Sequence, residues 1–306
     1  MSAQGSKISI YGAILANVAI AVSKFFAASY TGSSAMVSEG IHSLVDTSNG
    51  LLLLLGIKRS KREADKSHPF GYGMEIYFWS FVVAILIFAL GGGIAIYEGI
   101  HHIISPVEVE NITVNYWVLS IAILFEGTSL IVALKEFKKE NGKFGLIKSM
   151  KRSKDSSSFT IIIEEVGAIL GLVVALIGLF IGDYFEWPFA DGVASIIIGS
   201  ILTAMAFFLA METKGLLIGE SMDEESVKML NNILLANSTI EEFGPIRTVH
   251  FGPTGVMVGV DVHFKETYSL VDIEVEIVNI EKEFKKMLPV VKHIFIEVKE
   301  TVNTPA

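Results

Sequence analysis

Residues 34–56 read SAMVSEGIHSLVDTSNGLLLLLG, an apolar run that is interrupted by an imidazole and by carboxylates. A helix needs about 20 mostly apolar residues to cross a bilayer, and this stretch is long enough to do so. Ionisable groups inside a membrane span are costly, which makes each of them a functional candidate. His42 and Asp46 are four residues apart, so a helix places both side chains on one face.

An imidazole nitrogen and a carboxylate at this spacing supply half of a tetrahedral site for zinc or a similar cation. The alternative is a His–Asp hydrogen bond that only packs two helices together. A structural pair in lipid would rarely use two ionisable groups, so the spacing favours a metal site. The chain has no cysteine, and any metal must therefore bind to histidine, carboxylate, amide or water.

The residues on either side of this stretch predict further membrane spans. Six stretches are long and apolar enough: 8–30, 34–56, 74–98, 115–136, 157–181 and 189–211. The loops after the second and fourth stretches are rich in lysine and arginine, whereas the loops 30–33, 99–115 and 182–188 contain neither. Basic loops stay in the cytoplasm, so both termini are predicted to be cytoplasmic.

The C-terminal part, residues 212–306, is predicted to be a separate domain in water. Helical periodicity covers 223–236 and 269–288, and strand-like alternation covers 246–251, 256–264 and 291–298. The resulting order, αββαβ, predicts a small α+β domain with helices on one face of a mixed sheet. Acidic side chains outnumber basic ones in this part, which argues against a nucleic-acid partner.

The fifth predicted span carries two adjacent carboxylates, Glu164 and Glu165, within an apolar run. Adjacent residues on a helix point about 100° apart, so one can face the His42/Asp46 helix while the other faces elsewhere. Gly167 and Gly171, which follow, would let another helix approach closely. We expect the two carboxylates to complete the metal site.

Taken together, these residues resemble the cation diffusion facilitators. The likeness covers nearly the whole chain and includes the His42-x-x-x-Asp46 span and the loop DKSHPFGYG at 65–73. Asn17, Lys24 and Asp191 also fall where such proteins carry polar residues. The runs FEGTSL at 125–130 and Glu164-Glu165 are most similar to the branch that contains mitochondrial-type zinc exporters.

The resemblance implies a ligand set with one departure. Such proteins usually offer histidine or aspartate four residues before the fifth-span carboxylate, but if that carboxylate is Glu165, the position holds Ile161, which cannot bind a metal. Glu164, Glu126 or a water would then be the fourth ligand beside His42, Asp46 and Glu165. More oxygen ligands shift the preference toward harder ions such as Mn²⁺.

Two further sites that the resemblance implies are degraded in this sequence. In the loop, Asp65 and His68 remain, but Tyr72 stands at a second histidine position. The C-terminal domain resembles a metallochaperone fold, and its metal positions match His263, Glu276 and Glu297, with Lys299 beside them. We expect dimerisation rather than metal binding there. His101 and His102 are interpreted as solvated loop histidines.

The sequence predicts a secondary transporter rather than an enzyme. No nucleotide-binding motif and no nucleophile–base arrangement is present to drive or perform other chemistry. A histidine and ligating carboxylates can exchange metal for protons, which predicts proton-coupled antiport by alternating access. Zinc is the expected transported ion, with Mn²⁺, Fe²⁺, Co²⁺ or Cd²⁺ as alternatives. A membrane metal sensor or scaffold without transport, or a passive channel, are the rival interpretations.

The resemblance implies a homodimer embedded in a lipid bilayer and joined through its cytoplasmic domains. No stretch before the first span resembles a signal or transit peptide, and the cell (inner) membrane is therefore the expected location.

Overall fold

The computed structural model describes residues 3–107, 109, 111–141 and 154–300, with side chains described from Asn17 to Lys138 and again from Lys154. Most of the basic loop that follows the fourth predicted span, 139–153, therefore lies outside the residues with described side chains.

The N-terminal two thirds of the chain is built of long helices. They are α1 (Ala3–Thr31), α2 (Ser34–Ser60), α3 (Glu75–Leu86), α4 (Gly93–Ile104), α5 (Ile112–Asn141), α6 (Ser156–Phe185) and α7 (Ala190–Leu217). A π-helical turn, Ile87–Gly92, joins α3 to α4, so these two form one continuous helical rod.

Five helical stretches among the described residues are long and apolar enough to cross a membrane: Ser34–Ser60, Glu75–Ile104, Ile112–Lys138, Ser156–Phe185 and Ala190–Leu217. They coincide with the second to sixth predicted spans. Each helix continues beyond the C-terminal end of its predicted span, because polar residues outside the lipid can extend the helix. The first predicted span is helical throughout as part of α1. That α1 crosses the membrane stays a prediction.

The chain divides into two compact units. The first comprises 1–56 and 78–213, and the second comprises 57–77 and 214–306. The segment 57–77 belongs to the second unit because Phe70 stacks on Phe251, with ring centroids 4.9 Å apart, and meets the His293 ring edge-on at 5.0 Å. The boundary predicted near residue 211 remains a prediction.

Within the first unit, α4 and α7 approach at backbone distance. A Cβ added to Gly99 would lie 2.6 Å from the carbonyl oxygen of Gly192, and one added to Gly199 would lie 2.8 Å from the carbonyl oxygen of Gly92. Small residues allow such close contacts between helices. In lipid the hydrophobic effect does not drive helices together, so van der Waals packing of this kind stabilises their association. This packing fixes α7, which carries Asp191, against α4, which carries His102.

The start of α2 is held by a residue from α7. Oδ2 of Asp191 accepts hydrogen bonds from the backbone N–H groups of Ser34 (2.5 Å) and Ala35 (3.2 Å). The hydroxyl of Ser34 also donates to this atom (2.8 Å), and that of Ser33 donates to Oδ1 (2.5 Å). The first N–H groups of a helix have no hydrogen-bond partner inside the helix, and here the carboxylate of Asp191 accepts from them. The negative charge of that carboxylate is also stabilised by the positive end of the helix dipole.

The second unit contains a small α+β domain. Its elements are α8 (Glu224–Ala236), β1 (Ile240–Phe243), β2 (Arg247–His250), β3 (Val256–Phe264), α9 (Leu270–Met287) and β4 (Val291–Val298). β3 is central: β1 and β2 pair antiparallel with it, and β4 pairs parallel with it, from Val256↔Val291 to Val262↔Val298. The mixed sheet and both helices agree with the predicted fold class.

One element is additional to the predicted αββαβ order. β1 is only four residues long and holds Glu241 and Glu242 between its apolar ends, so its alternation is too weak to indicate a strand. It forms because its backbone pairs with the far end of β3, at Phe243↔Val262. Val258, Val260, Leu230 and Phe284 are among the buried residues of the core between sheet and helices.

Candidate metal site

His42 and Asp46 lie on one side of α2, as predicted. Nδ1 of the buried His42 is 3.4 Å from Oδ1 of Asp46. Two ligands of a tetrahedral zinc ion with bonds of 2.0–2.2 Å are separated by about 3.4 Å, so the pair is spaced as metal ligands are. Among the described residues, neither ring nitrogen nor Oδ1 of Asp46 has a hydrogen-bond partner. Buried polar atoms are normally paired, and a cation would supply the missing partner.

A cavity of about 130 Å³ lies beside this pair. Four carboxylates from three helices line it: Asp46 on α2, Glu126 on α5, and Glu164 and Glu165 on α6. Asp46 interacts electrostatically with the other three. Carboxylates in a medium of low dielectric repel one another strongly, and a divalent cation among them would offset that repulsion. The arrangement is therefore chemically suited to a cation.

The two adjacent carboxylates of α6 face different helices. Oε1 of the buried Glu164 accepts a hydrogen bond of 2.7 Å from Nδ2 of Asn49 on α2. Oε1 of Glu165 accepts one of 2.5 Å from the hydroxyl of Ser129 on α5, while its Oε2 is buried without a partner in the described part of the chain. The helix therefore splits the pair as its geometry requires, and Glu165 also interacts with Glu126 of α5.

The predicted ligands share one region but do not close around one point. Within the described residues, no three histidine, aspartate or glutamate side chains come close enough together to hold a metal ion. His42 does not line the cavity, although its neighbour Ser43 does. The ligand roles of His42, Asp46, Glu164 and Glu165 remain a prediction, and a cation that binds all of them must draw α2 and α6 inward.

A buried ion pair next to the site was not predicted. Nζ of Lys24 on α1 lies 3.0 Å from Oε2 of Glu39 on α2 and donates to the hydroxyl of Ser43 at 2.8 Å, and both charged side chains are fully buried. Oε1 of Glu39 is directed at Gly171 of α6, where any added Cβ would collide with it. The signal was present in the sequence, because Glu39 lies within the same apolar span as His42 and needs a partner there.

The comparison with known families decides the identity of this helical unit. The family model of the cation efflux transmembrane domain matches residues 10–218, which is more than half of the chain. The chain belongs to the cation efflux family. The resemblance predicted from the motifs of α2 and the 65–73 loop is thereby confirmed.

Three relatives show the range of this cation efflux family. The protein named proton-coupled zinc antiporter SLC30A9, mitochondrial, of Xenopus laevis is 32% identical over 243 residues, or 79% of this chain and 44% of that protein. Metal tolerance protein C4 of Arabidopsis thaliana is 28% identical over 85% of this chain and 58% of that protein. The manganese efflux system protein MneP of Bacillus subtilis is 23% identical over 78% of each chain. The chain thus spans about half the length of the first two.

The loop motif of this cation efflux protein forms a hydrogen-bonded turn. Oδ1 of Asp65 accepts from the backbone N–H groups of Ser67 (2.9 Å) and His68 (2.8 Å), and Oδ2 accepts from the hydroxyl of Tyr72 at 2.7 Å. The hydrogen bonds from the Ser67 and Tyr72 side chains hold the pKa of Asp65 well below its usual range. Tyr72, which stands at the second histidine position, thus occupies Oδ2 of Asp65 with a hydrogen bond.

The residues matched to a second metal site in the α+β domain are engaged with other groups. Nδ1 of His263 contacts the carbonyl oxygen of Lys299 at 2.9 Å, and Glu276 accepts a hydrogen bond from Asn237. Nζ of Lys299 lies 3.2 Å from Asp261 and 3.3 Å from Glu297. The hydrogen bond between Lys299 and Asp261 raises the pKa of the ammonium and lowers that of the carboxyl. Lys299 therefore supplies a positive charge to both Asp261 and Glu297.

Calorimetric titration with zinc tests the two carboxylates of α6. We expect Glu165→Gln to eliminate high-affinity binding, because it removes the negative charge of the ligand predicted to face Asp46, and Glu164→Gln only to weaken it. Ile161→His should tighten binding, since Ile161 lines the cavity and an imidazole there restores a nitrogen ligand. Loss of binding in Glu164→Gln with tolerance of Glu165→Gln would instead reverse the two roles.

Proposed function

We propose that the chain exports a divalent metal cation, zinc first among them, in exchange for protons. The observation that carries the proposal is the cavity of about 130 Å³ lined by four carboxylates of α2, α5 and α6, next to His42, whose ring nitrogens make no hydrogen bond to any described residue. The relatives named proton-coupled zinc antiporter and metal tolerance protein support it.

Transport fits the site better than a sensor or scaffold does. A site that only stabilises the fold would be closed around its metal, as structural zinc sites are, and would need few ionisable groups. In the described part of the chain, ionisable groups on α1, α2, α5 and α6 lie near one another, and no three histidine, aspartate or glutamate side chains form a closed metal site. Ligands must lose protons to bind a metal, so binding and release are coupled to proton exchange.

Proteoliposomes that contain the purified protein and a zinc-sensitive dye provide the test. An acidic interior should drive accumulation of zinc, because protons leaving the vesicle exchange for zinc entering it. A protonophore should abolish the accumulation, and protein-free vesicles are the control. Zinc uptake of equal rate without a pH gradient would indicate a channel, and no uptake under any gradient would indicate a sensor or scaffold.

The choice between zinc and manganese depends on His42. The ionisable side chains that line the described cavity are all carboxylates, a donor set that suits harder ions, and only the imidazole favours zinc. We therefore expect His42→Asp to retain transport but to raise the ratio of manganese to zinc flux. An unchanged ratio in competition assays would remove His42 from the ligand set. Exposed His101→Asp is the matched control.

We further propose that two copies associate through the domain of residues 212–306. Apolar side chains of α9 and β4 support this, since Leu270, Val271, Val275 and Phe295 are each more than half exposed in a single chain. Large exposed apolar patches generally mark interaction surfaces. The proposed location is the cell membrane, with both termini cytoplasmic.

Truncation tests the proposed dimer. A chain ending at Met211 should be monomeric in detergent, whereas the full chain should be dimeric, when the two are compared by light scattering at equal concentration. Zinc binding at the α2/α6 site should survive the truncation, because its residues lie within the first unit. A truncated chain that stays dimeric would place the interface among the membrane helices.

A further inference from the structure

A second cavity, of about 620 Å³, lies in the first unit at the ends of α6 and α7. Asp183, Glu186 and Asp191 line it, and the described lining residues include neither lysine nor arginine. Asp183 and Glu186 are exposed, whereas Asp191 is only 5% exposed. The carboxylates therefore run from the water-exposed part of the cavity to a buried one, which favours entry of cations over anions.

A buried histidine, His102, lies next to Asp191, the most deeply buried carboxylate of the cavity. His102 of α4 was interpreted as a solvated loop residue, but it is only 5% exposed, while its neighbour His101 is exposed. Neither ring nitrogen of His102 has a hydrogen-bond partner within the described residues. Nε2 lies 3.8 Å from Oδ2 of Asp191, too far for a hydrogen bond and close to the separation of about 3.4 Å between two ligands of one zinc ion.

A line of polar groups connects this position with the first site. Ser34, Ser38 and His42 follow one another at four-residue spacing on α2, so they share one face, and all three are buried. Ser34 donates to Asp191, and Ser38 is hydrogen-bonded to Ser195 of α7. At 1.5 Å per residue, His42 lies about 12 Å along the helix from Ser34. Polar side chains on one face of α2 thus extend from His42 to Asp191.

We propose that His102 and Asp191 form a second, weaker cation site, through which a divalent cation passes between the first site and the 620 Å³ cavity. The site is weaker because Asp191 already accepts four hydrogen bonds at the start of α2, which take up part of its charge. A site that holds its cation less firmly than the first one suits release. The role in transport rests on the proposed function, but binding does not.

Titration with zinc chloride alone tests the binding. In the full-length protein carrying Asp46→Ala and Glu165→Gln, which removes the first site, we expect one weaker zinc to remain. Adding His102→Gln should abolish that binding, and adding the matched His101→Gln should leave it unchanged. Size-exclusion profiles and circular dichroism confirm that each variant is folded. Asp183→Asn with Glu186→Gln, which touches no buried group, should weaken the remaining binding several-fold by lowering the local cation concentration.

The proposal is overturned if the background protein binds no zinc, or if its bound zinc survives His102→Gln. It is also overturned if His101→Gln removes the zinc equally well. These results are independent of the proposed function, which is judged on the wild-type protein by uptake under a pH gradient. If the wild type transports zinc but the Asp46→Ala, Glu165→Gln protein binds none, the proposed function stands and the second site is ruled out.

Discussion

Replacement of Asp46 by alanine is expected to abolish both zinc binding and zinc transport while the helices remain folded. Asp46 is the carboxylate that belongs to both parts of the site: it pairs with His42 on α2 and lines the cavity with Glu126, Glu164 and Glu165. Its removal deletes a ligand together with the negative charge that balances the cation. The loss should exceed the roughly 10–100-fold drop in affinity that follows removal of a residue that only supports a ligand.

Calorimetry and vesicle uptake measure this effect, with two companion variants. Asp46→Asn keeps the volume of the side chain and should lose nearly as much activity, because the charge is the essential property. Ser48→Ala, at an exposed position on the same helix, should behave as the wild type does, since its hydroxyl only bonds to the carbonyl oxygen of Leu44. If Asp46→Ala transports zinc as the wild type does, the transport site does not include Asp46 of α2.

Lys24→Met is expected to destabilise the protein severely, by about 3–5 kcal/mol, because it leaves the fully buried Glu39 without its partner. Packing restricts the Glu39 side chain, because one carboxylate oxygen faces Lys24 and the other is packed against Gly171. Breaking one half of a buried ion pair costs far more than replacing both halves by apolar groups of similar size. The pair therefore connects α1 to α2 beside the proposed metal site.

Thermal unfolding in detergent provides the measurement. The double variant Lys24→Met, Glu39→Met should recover most of the stability that the single variant loses, and Lys214→Met, at an exposed lysine of α7, should change little. A single variant as stable as the wild type would mean that Glu39 finds another partner. A double variant less stable than the single one would mean that the two charges have separate roles.

Much of this architecture follows from local sequence. Apolar runs of about 20 residues indicate the spans directly because lipid leaves a helix no alternative, and the four-residue spacing of His42 and Asp46 fixes a shared face. In the α+β domain, β3 and β4 were recognisable because their apolar residues pack into a core. β1, with two glutamates among its four residues, is a strand only because β3 pairs with it.

The relations between helices could not be predicted in the same way. The sequence predicts that Glu39 and Lys24 lie in the membrane, but only the contact between α1 and α2 shows that they pair. The burial of His102 likewise depends on the close approach of α4 and α7 at Gly99 and Gly192. The loop position of His102 in the sequence suggests solvent, and the helix in fact extends to Ile104 and carries the histidine inside.

The most direct test of the central claim is a simultaneous measurement of zinc and proton movement in proteoliposomes, with a zinc dye and a pH dye in the same vesicles. For the wild type, zinc entry should be accompanied by proton exit with the same time course, and in Asp46→Ala both movements should be absent. Zinc entry without any proton movement, or equal movements in the wild type and Asp46→Ala, would contradict proton-coupled transport through this site.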